Sequence, residues 1–300
     1  MKQFLQVNSS SKPIGRFAPS PTGDLHFGSL VAALGSFLNI RSRGGEWLVR
    51  VENIDPPREV EGAGLRQIET LEQHGLISDR EVVWQIDSTG LHKQAIDYLL
   101  KEKQAFHCAC TRAELPPNGV YPGTCRQGLP AGKSARSIRL RVNSDSVEFD
   151  DAIQGHCVQL PANNCGDFVI RRADGLIAYQ LAVVVDDIKA GVTEVVRGFD
   201  LIESTGRQIL VYRALGLTPP SYGHLPLITN DAGRKLSKSD NDDPIQNGRP
   251  EDNIRLALAC LGHPPPTSVA TIAELLDWAL THWRIDQVPN GPLAWPNQPC

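Results

Sequence analysis

Between residues 14 and 103, short runs of strand character alternate with longer runs of helical period. This alternation restricts the fold more than any other feature of the chain. Residues 14–18 read as a strand that Pro19 and Pro21 stop, and Thr22-Gly23-Asp24 makes a turn. A helix is expected over 26–41, where Leu30, Leu34, Phe37 and Leu38 share one face and Gly44 follows the end. Residues 46–52 alternate as a strand, and apolar faces of helical spacing recur over 60–74 and 88–103. Strand, helix, strand, helix is the order of a parallel sheet covered by helices, an α/β fold.

The order breaks after residue 103. Residues 107–165 hold five of the seven cysteines, Pro116-Pro117, several glycines and short strands such as 137–142. They read as an insertion with its own small fold. Asp174-Gly175, between runs at 167–172 and 176–185, is a hairpin signal. Strands are expected at 192–197 and 224–228, with a helix over 200–215 that Asp200 caps and Gly216 ends. Past a turn at 230–233 come Lys235-Leu236-Ser237-Lys238-Ser239 and an acidic, polar linker. Two amphipathic helices are expected near 251–261 and 271–283, separated by Pro264-Pro265-Pro266.

Composition narrows the class. Hydrophobic residues are 41% and charged residues 21%, which excludes a disordered chain, a collagen and a coiled coil. The most apolar stretch, 176–185, is broken by Gln180 and is about half of the ~20 residues a membrane span needs. The first residues, MKQFLQVNSSSKP, lack the apolar segment of an export signal. A reducing cytoplasm is therefore expected, with the cysteines reduced or bound to metal. The net charge of −4 argues against a nucleic-acid partner until it is divided along the chain. Residues 240–300 carry eight acids and three bases, whereas residues 101–142 carry eight bases and two acids. A basic surface on a weakly acidic chain is compatible with an RNA or phosphate partner.

Two motifs and one cluster carry chemistry. In the first motif, Gly15-Arg16-Phe17-Ala18-Pro19-Ser20-Pro21-Thr22-Gly23-Asp24-Leu25-His26-Phe27-Gly28-Ser29, a strand turns into a helix. The N–H groups and dipole of that helix start suit an anion, and His26 and Gly28 sit where a phosphate could approach. It is neither a GxGxxG fingerprint nor a GxxxxGK[ST] loop. By itself, a histidine there is a helix cap. The second motif, Lys235-Leu236-Ser237-Lys238-Ser239, suits triphosphate oxygens in a transition state, although by itself it is a solvated loop. The cluster is Cys108, Cys110 and Cys125, three thiols within eighteen residues, suited to zinc. A closed site needs a fourth ligand, and by general chemistry His107 or Cys165 is preferred over Tyr121.

Taken as a pair, the motifs resemble the HIGH and KMSKS signatures of class I aminoacyl-tRNA synthetases. Arg16–Gly23, Val51-Glu52-Asn53-Ile54-Asp55-Pro56-Pro57-Arg58, Leu176–Asp187 and Val196-Arg197-Gly198-Phe199-Asp200-Leu201 resemble the glutamyl branch. The resemblance runs from about residue 14 to 245. It implies a Rossmann-like parallel sheet with an inserted zinc-containing subdomain and a short C-terminal helical region. The implied division is 14–106 and 166–239 for the catalytic domain, 107–165 for an acceptor-contacting insertion and 240–300 for a stem-contact-like tail.

The resemblance also implies roles. The family activates an amino acid with ATP, forming an acyl-adenylate and releasing pyrophosphate. His26, Gly28, Ser29 and Lys238 would contact ATP, with His26, Lys235 and Lys238 acting in catalysis and Mg²⁺ accompanying the nucleotide. Arg16, Phe17, Ala18, Pro19, Ser20, Glu52, Tyr179 and Arg197 would bind L-glutamate. Arg16 is assigned to a glutamate carboxylate and Glu52 to the ammonium, while Tyr179 and Arg197 close the pocket. Asn53 and Gln180 depart from the family's more usual Asp and Asn. The spacing Cys108, Cys110, Tyr121, Cys125 matches a subgroup, the glutamyl-Q tRNA(Asp) synthetases, in which that tyrosine completes a structural zinc site.

Length points to the same subgroup. About sixty residues follow Ser239, too few for both a stem domain and an anticodon-binding domain. The subgroup makes glutamyl-adenylate without tRNA and transfers glutamate to queuosine at the wobble position of tRNA(Asp). Two alternatives stand beside this: a minimal glutamyl-tRNA synthetase core charging a 3′ end, and a non-catalytic RNA-binding paralogue. A monomer is the default expectation.

Overall fold

The computed structural model of the chain describes residues 12–143, 146–229, 245 and 248–294. Its first half is built as the alternation requires. Strand β1 (Ile14–Phe17) leads through a turn into helix α1 (Phe27–Arg41), which returns the chain to β2 (Glu46–Val51). β1 and β2 pair in parallel, from Ile14 opposite Glu46 to Phe17 opposite Val49. Helix α2 (Ala63–Gln73) precedes the short strand β3 (Val83–Trp84), which pairs in parallel with β2. Helix α3 (Thr89–Lys101) then leads out of this half. Trp47 fixes α1 against the sheet, edge-on to Phe37 and donating from Nε1 to Ser36 Oγ at 3.0 Å.

The middle of the chain divides between two sheets. β4 (Ala105–Cys108), β5 (Ser137–Leu140) and β8 (Val169–Arg171) form a separate antiparallel sheet in the order β4, β5, β8. The hairpin of β6 (Val147–Asp151) and β7 (Gly155–Gln159) does not join them. It pairs instead with β10 (Ser221–Leu225), at Tyr222 opposite Asp151. The interval 107–165, expected as one insertion, thus gives a cysteine-bearing part to the small sheet and a hairpin to the large one. A short helix α4 (Pro161–Asn164) connects them.

The second half repeats the winding. Helix α5 (Tyr179–Ala190) feeds β9 (Glu194–Gly198), helix α6 (Ile202–Ala214) follows, and β10 (Ser221–Leu225) pairs in parallel with β9. β1 and β9 begin side by side, where Thr193 N–H donates to Ile14 O at 2.9 Å. Successive strand residues feed opposite cores. Leu48 and Val195 join a core with α3, α5 and α6, while Trp47, Val49 and Val196 join a second core with α1. This three-layer arrangement is the expected Rossmann-like class. The tail belongs to the second core. β11 (Ile228–Thr229), α7 (Pro250–Cys260), α8 (Ile272–His282) and β12 (Leu293–Ala294) complete it, with α7 and α8 against α1 and β12 paired to β11.

Three local expectations change. Gly175 adopts φ +90° and Arg172 N–H bonds Leu176 O, so the turn at Asp174-Gly175 forms, but its second arm ends after one bridge at Ile177. From Tyr179 onward the run expected as a strand arm is helix α5, buried at every position from Gln180 to Ile188. A helix enclosed on all sides has no polar face, so its period is invisible. Asp200 lies in a 3₁₀ turn, and the residue at the cap of α6 is Leu201. The strand expected at 224–228 is two strands, since β10 ends before Pro226 and β11 starts at Ile228. No helix among the described residues is long and apolar enough to cross a membrane.

Candidate active site and metal site

β1 and β9 carry the chain out of the sheet at neighbouring positions, and their connections leave on opposite faces. In an open α/β sheet the crevice at such a place accepts ligands. Four of the expected residues converge there: Arg16 on β1, Glu52 just past β2, Tyr179 at the first turn of α5 and Arg197 on β9. Glu52 is set by its backbone, whose N–H donates to Pro19 O at 2.8 Å. Pro19 is buried, Phe17 and Ala18 are half-buried, and Ser20 is exposed, so they form the inner wall and rim of the turn.

A buried charge network underlies these residues. Arg16 Nε lies 3.2 Å from both carboxylate oxygens of Asp187, on α5. Asp187 Oδ1 also accepts from Arg50 Nη1 at 2.7 Å, and Arg50 Nη2 donates to Glu52 Oε1 at 3.1 Å. Two cations and two anions neutralise one another inside the protein, which is the condition for burying them. The outer atoms are available. Neither terminal nitrogen of Arg16 and not Oε2 of Glu52 has a partner among the described residues. Arg16 therefore presents its fork, the geometry that holds a carboxylate, and Glu52 presents an oxygen suited to an ammonium. Burial raises the pKa of Glu52, and the neighbouring arginines offset only part of that. Burial likewise raises the Asp187 carboxyl, but Arg16 and Arg50 outweigh it and hold it low.

Arg197 is held from several sides. It donates from Nη1 to Gln208 Oε1 at 2.8 Å, from Nη2 to Thr205 Oγ1 at 2.8 Å, and from Nε to His224 Nε2 at 3.1 Å. Tyr179 is half-buried near Glu52, and desolvation together with that carboxylate raises its phenol pKa. The two departures are absorbed by the fold. Asn53 Oδ1 accepts the Ile86 N–H at 3.0 Å, and Gln180 Nε2 donates to Ser204 Oγ at 3.0 Å. Sequence reasoning missed Arg50, Asp187, Gln208, Thr205, Asp151 and His224. Asp187 ends the Leu176–Asp187 motif, so a signal was present there. Nothing local marks the others.

At the start of α1, His26 is the N-cap and its Nδ1 accepts the Ser29 N–H at 3.2 Å. Gly28 is tight: a Cβ there would lie 3.2 Å from the His26 ring. Gly28 and Ser29 are half-buried at the helix entrance. Lys235 and Lys238 lie outside the described residues. Ile228 adjoins Gly28, and Ile245 N–H donates to Leu25 O at 3.2 Å, one residue before His26.

The cysteine cluster forms beyond β4. The sulfur atoms of Cys108, Cys110 and Cys125 all lie within 4.8 Å of one another. Tyr121 Oη points among them, 3.5 Å from Cys108 Sγ and 4.0 Å from Cys110 Sγ, and accepts the Cys125 N–H at 2.8 Å. Burial pushes the Cys108 thiol up, but hydrogen bonds with Tyr121 and Arg139 outweigh it and bring it down to about 7. Arg139 donates to Cys108 Sγ at 3.3 Å and lies over the Tyr121 ring. Cys165 faces away, its thiol directed at Pro161 O and Gly166 O, and His107 is exposed on β4. Three convergent thiols with a phenol oxygen are a donor set that fits a tetrahedral ion such as zinc. The basic surface is smaller than its charge count. Arg126, Arg139 and Arg141 are engaged inside the insertion and Lys133 pairs with Glu114. Lys101, Lys103, Arg112 and Arg136 are exposed.

Comparisons with known proteins agree on one group. The family model "tRNA synthetases class I (E and Q), catalytic domain" matches residues 14–118 and 125–261. The chain is 50% identical over 289 residues to the glutamyl-Q tRNA(Asp) synthetase of Chromobacterium violaceum, covering 94% of this chain and 97% of that protein. It is 49% identical to the protein of the same name from Thiobacillus denitrificans, covering 94% and 96%. Among solved structures, a glutamate tRNA ligase from Elizabethkingia meningosepticum, in complex with its amino acid, superposes with a TM-score of 0.80 at 26% identity. That match covers 95% of this chain and 67% of the ligase.

Proposed function

The chain belongs to the class I tRNA synthetases of the glutamate and glutamine group, and within it to the glutamyl-Q tRNA(Asp) synthetases; from that premise we propose that it activates L-glutamate with ATP, without tRNA, and transfers it to queuosine at the wobble position of tRNA(Asp). The observation that carries this reading is the pair of outward-facing groups on one buried network. The Arg16 fork and Glu52 Oε2 are held through Asp187 and Arg50, ready for a carboxylate and an ammonium. A site ordered before any ligand arrives supplies the positioning that adenylate formation requires.

In the proposed reaction a glutamate α-carboxylate oxygen attacks the α-phosphorus of ATP and pyrophosphate leaves. A hydroxyl of the queuosine cyclopentene diol then attacks the glutamyl carbonyl and AMP leaves. Arg16, Tyr179 and Arg197 would hold the amino acid's carboxylate side, Glu52 its ammonium, and the 17–20 turn its backbone. The α1 entrance with His26, Gly28 and Ser29 would receive the ATP phosphates. Lys238, assisted by Lys235, would neutralise charge on the departing pyrophosphate, and Mg²⁺ would accompany the nucleotide. Zinc, held by Cys108, Cys110, Cys125 and Tyr121, would supply a structural cross-link for the insertion. We propose that the chain acts as a cytoplasmic monomer. The implied division also stands as a proposal, with 107–165 contacting RNA and 240–300 a stem-contact-like tail.

Glutamate-dependent ATP–pyrophosphate exchange without tRNA tests the first step, and its absence would remove the reading. Acylation of tRNA(Asp) with and without queuosine tests the second. Equal charging of both, at the 3′ end, would favour a minimal glutamyl-tRNA synthetase core instead.

A further inference from the structure

Behind Arg197 lies a second buried chain of polar groups. It starts at Asp151, the last residue of β6. Its Oδ1 accepts the backbone N–H groups of Ile153, Gln154 and His224 at 3.0, 2.9 and 3.1 Å. Its Oδ2 lies 2.5 Å from His224 Nδ1. His224 is wholly buried on β10, with Tyr222 stacked beside its ring. The other ring nitrogen, Nε2, meets Arg197 Nε at 3.1 Å and Thr205 Oγ1 at 3.2 Å. Strand register makes this possible, because His224 and Arg197 are direct partners across β10 and β9.

Elementary donor counting fixes the tautomer. A guanidinium Nε always carries hydrogen and cannot accept, so His224 Nε2 must be bare. The proton then resides on Nδ1, where the Asp151 carboxylate receives it. A doubly protonated ring would set N–H against N–H and a second cation beside Arg197. The charged and titratable groups facing this ring are Asp151 from β6, Arg197 from β9, Asp200 from the turn after β9 and Tyr222 stacked on the same strand. Arg197 in turn spends Nε on His224, Nη2 on Leu201 O and Thr205, and one Nη1 hydrogen on Gln208. Its plane is thereby set, and one Nη1 N–H remains for a ligand among the described contacts.

We infer that His224, oriented by Asp151, is a positioning residue that sets the plane of Arg197 and so selects the side-chain carboxylate of glutamate over the neutral amide of glutamine. The inference rests on the reading above, in which Arg197 lines the glutamate pocket. The selection follows from charge. Every hydrogen-bonding atom of Arg197 is a donor on a buried cation, so a fixed guanidinium N–H makes a charge-assisted bond to a carboxylate oxygen that the neutral carbonyl oxygen of glutamine cannot match. Without the His224 acceptor, Arg197 Nε would be a buried unpaired donor and the guanidinium would turn to find another.

The test is ATP–pyrophosphate exchange by the full-length protein at varied glutamate, glutamine and ATP. His224→Leu should raise KM for glutamate tenfold or more and lower the glutamate-over-glutamine preference. Its kcat and KM for ATP should stay within about threefold. His224→Gln, whose side-chain oxygen can take the place of Nε2, should recover most of the glutamate KM. A merely structural histidine would shift both substrates alike and would show no such rescue. Should His224→Leu fail to fold, Asp151→Asn reads the same coupling, with the His224 tautomer followed by ¹⁵N NMR. The wild type should show a bare Nε2, and a protonated Nε2 would overturn the inference. Arg197→Ala is the control. If it raises the glutamate KM while His224→Leu does not, the inference fails alone. If Arg197→Ala leaves that KM unchanged, the pocket reading fails instead.

Discussion

At the scale of single residues, Asp187 is the hinge of the site. It compensates Arg16 and Arg50 at once, and through Arg50 it reaches Glu52. Asp187→Asn would leave two buried guanidiniums against one carboxylate. Breaking a buried pair this way costs roughly 3–5 kcal/mol, so urea unfolding should show a loss of that size. A loss under about 1 kcal/mol would mean the network is not holding charge. Glu52 carries a pH prediction. Its pKa is raised, chiefly by burial, so it takes up a proton at a higher pH than an ordinary glutamate. The ionised form binds the ammonium, so glutamate binding is complete above that pKa and weakens as pH falls through it. KM for glutamate, measured across pH 5–8 by exchange, should rise toward acid. Glu52→Gln should raise KM about ten- to a hundredfold and remove this dependence on pH. The motifs marked Arg16, Glu52, Tyr179 and Arg197 as candidates, and the fold brings them together. Their partners were not marked, because Arg16 and Asp187 are separated by 171 positions and only folding joins them.

At the scale of elements, the cysteine-bearing part is a satellite with its own small core. Phe106, Cys108, Ala109, Tyr121 and Cys125 pack together, apart from the two main cores. So few buried apolar groups leave the stability of this segment to the proposed metal cross-link and to the small sheet beneath it. Removing metal with a chelator should abolish amide-exchange protection around residues 105–125 and leave the parallel sheet protected. The melting temperature should fall by roughly 5 °C, the shift expected for about 2 kcal/mol. Unchanged exchange on chelation, or protein purified without zinc, would contradict a metal role. The cysteine cluster was legible because thiols close in sequence converge with little tertiary information. The β6–β7 hairpin was not, since its pairing with β10 is a long-range choice. Helix α5 was misread for the opposite reason. Val183, Val184 and Val185 favour a strand locally, yet burial on all sides overrides that preference.

At the scale of the whole molecule, the tail is part of the body. Ile254, Ala257, Leu258 and Leu261, with Leu275, Leu276, Ala279 and Trp283, share a core with Leu30, Leu34 and Leu38 of α1. Burying each larger side chain is worth roughly 1.5–3 kcal/mol, and the sum is comparable with the ~5–15 kcal/mol net stability of a typical domain. Ending the chain after residue 249 should therefore abolish cooperative unfolding, as seen by far-UV dichroism during urea titration. A truncated protein that melts like the intact one would show the tail to be an independent appendage. The sequence by itself determined the α/β class, the strand-turn-helix motif, the second lysine-serine motif and the thiol set, because each is written within a short stretch of chain. The tertiary structure alone decided which charges neutralise one another, which sheet takes the hairpin and what the tail covers. Those outcomes depend on desolvation and pairing between distant segments, and local pattern carries no record of either.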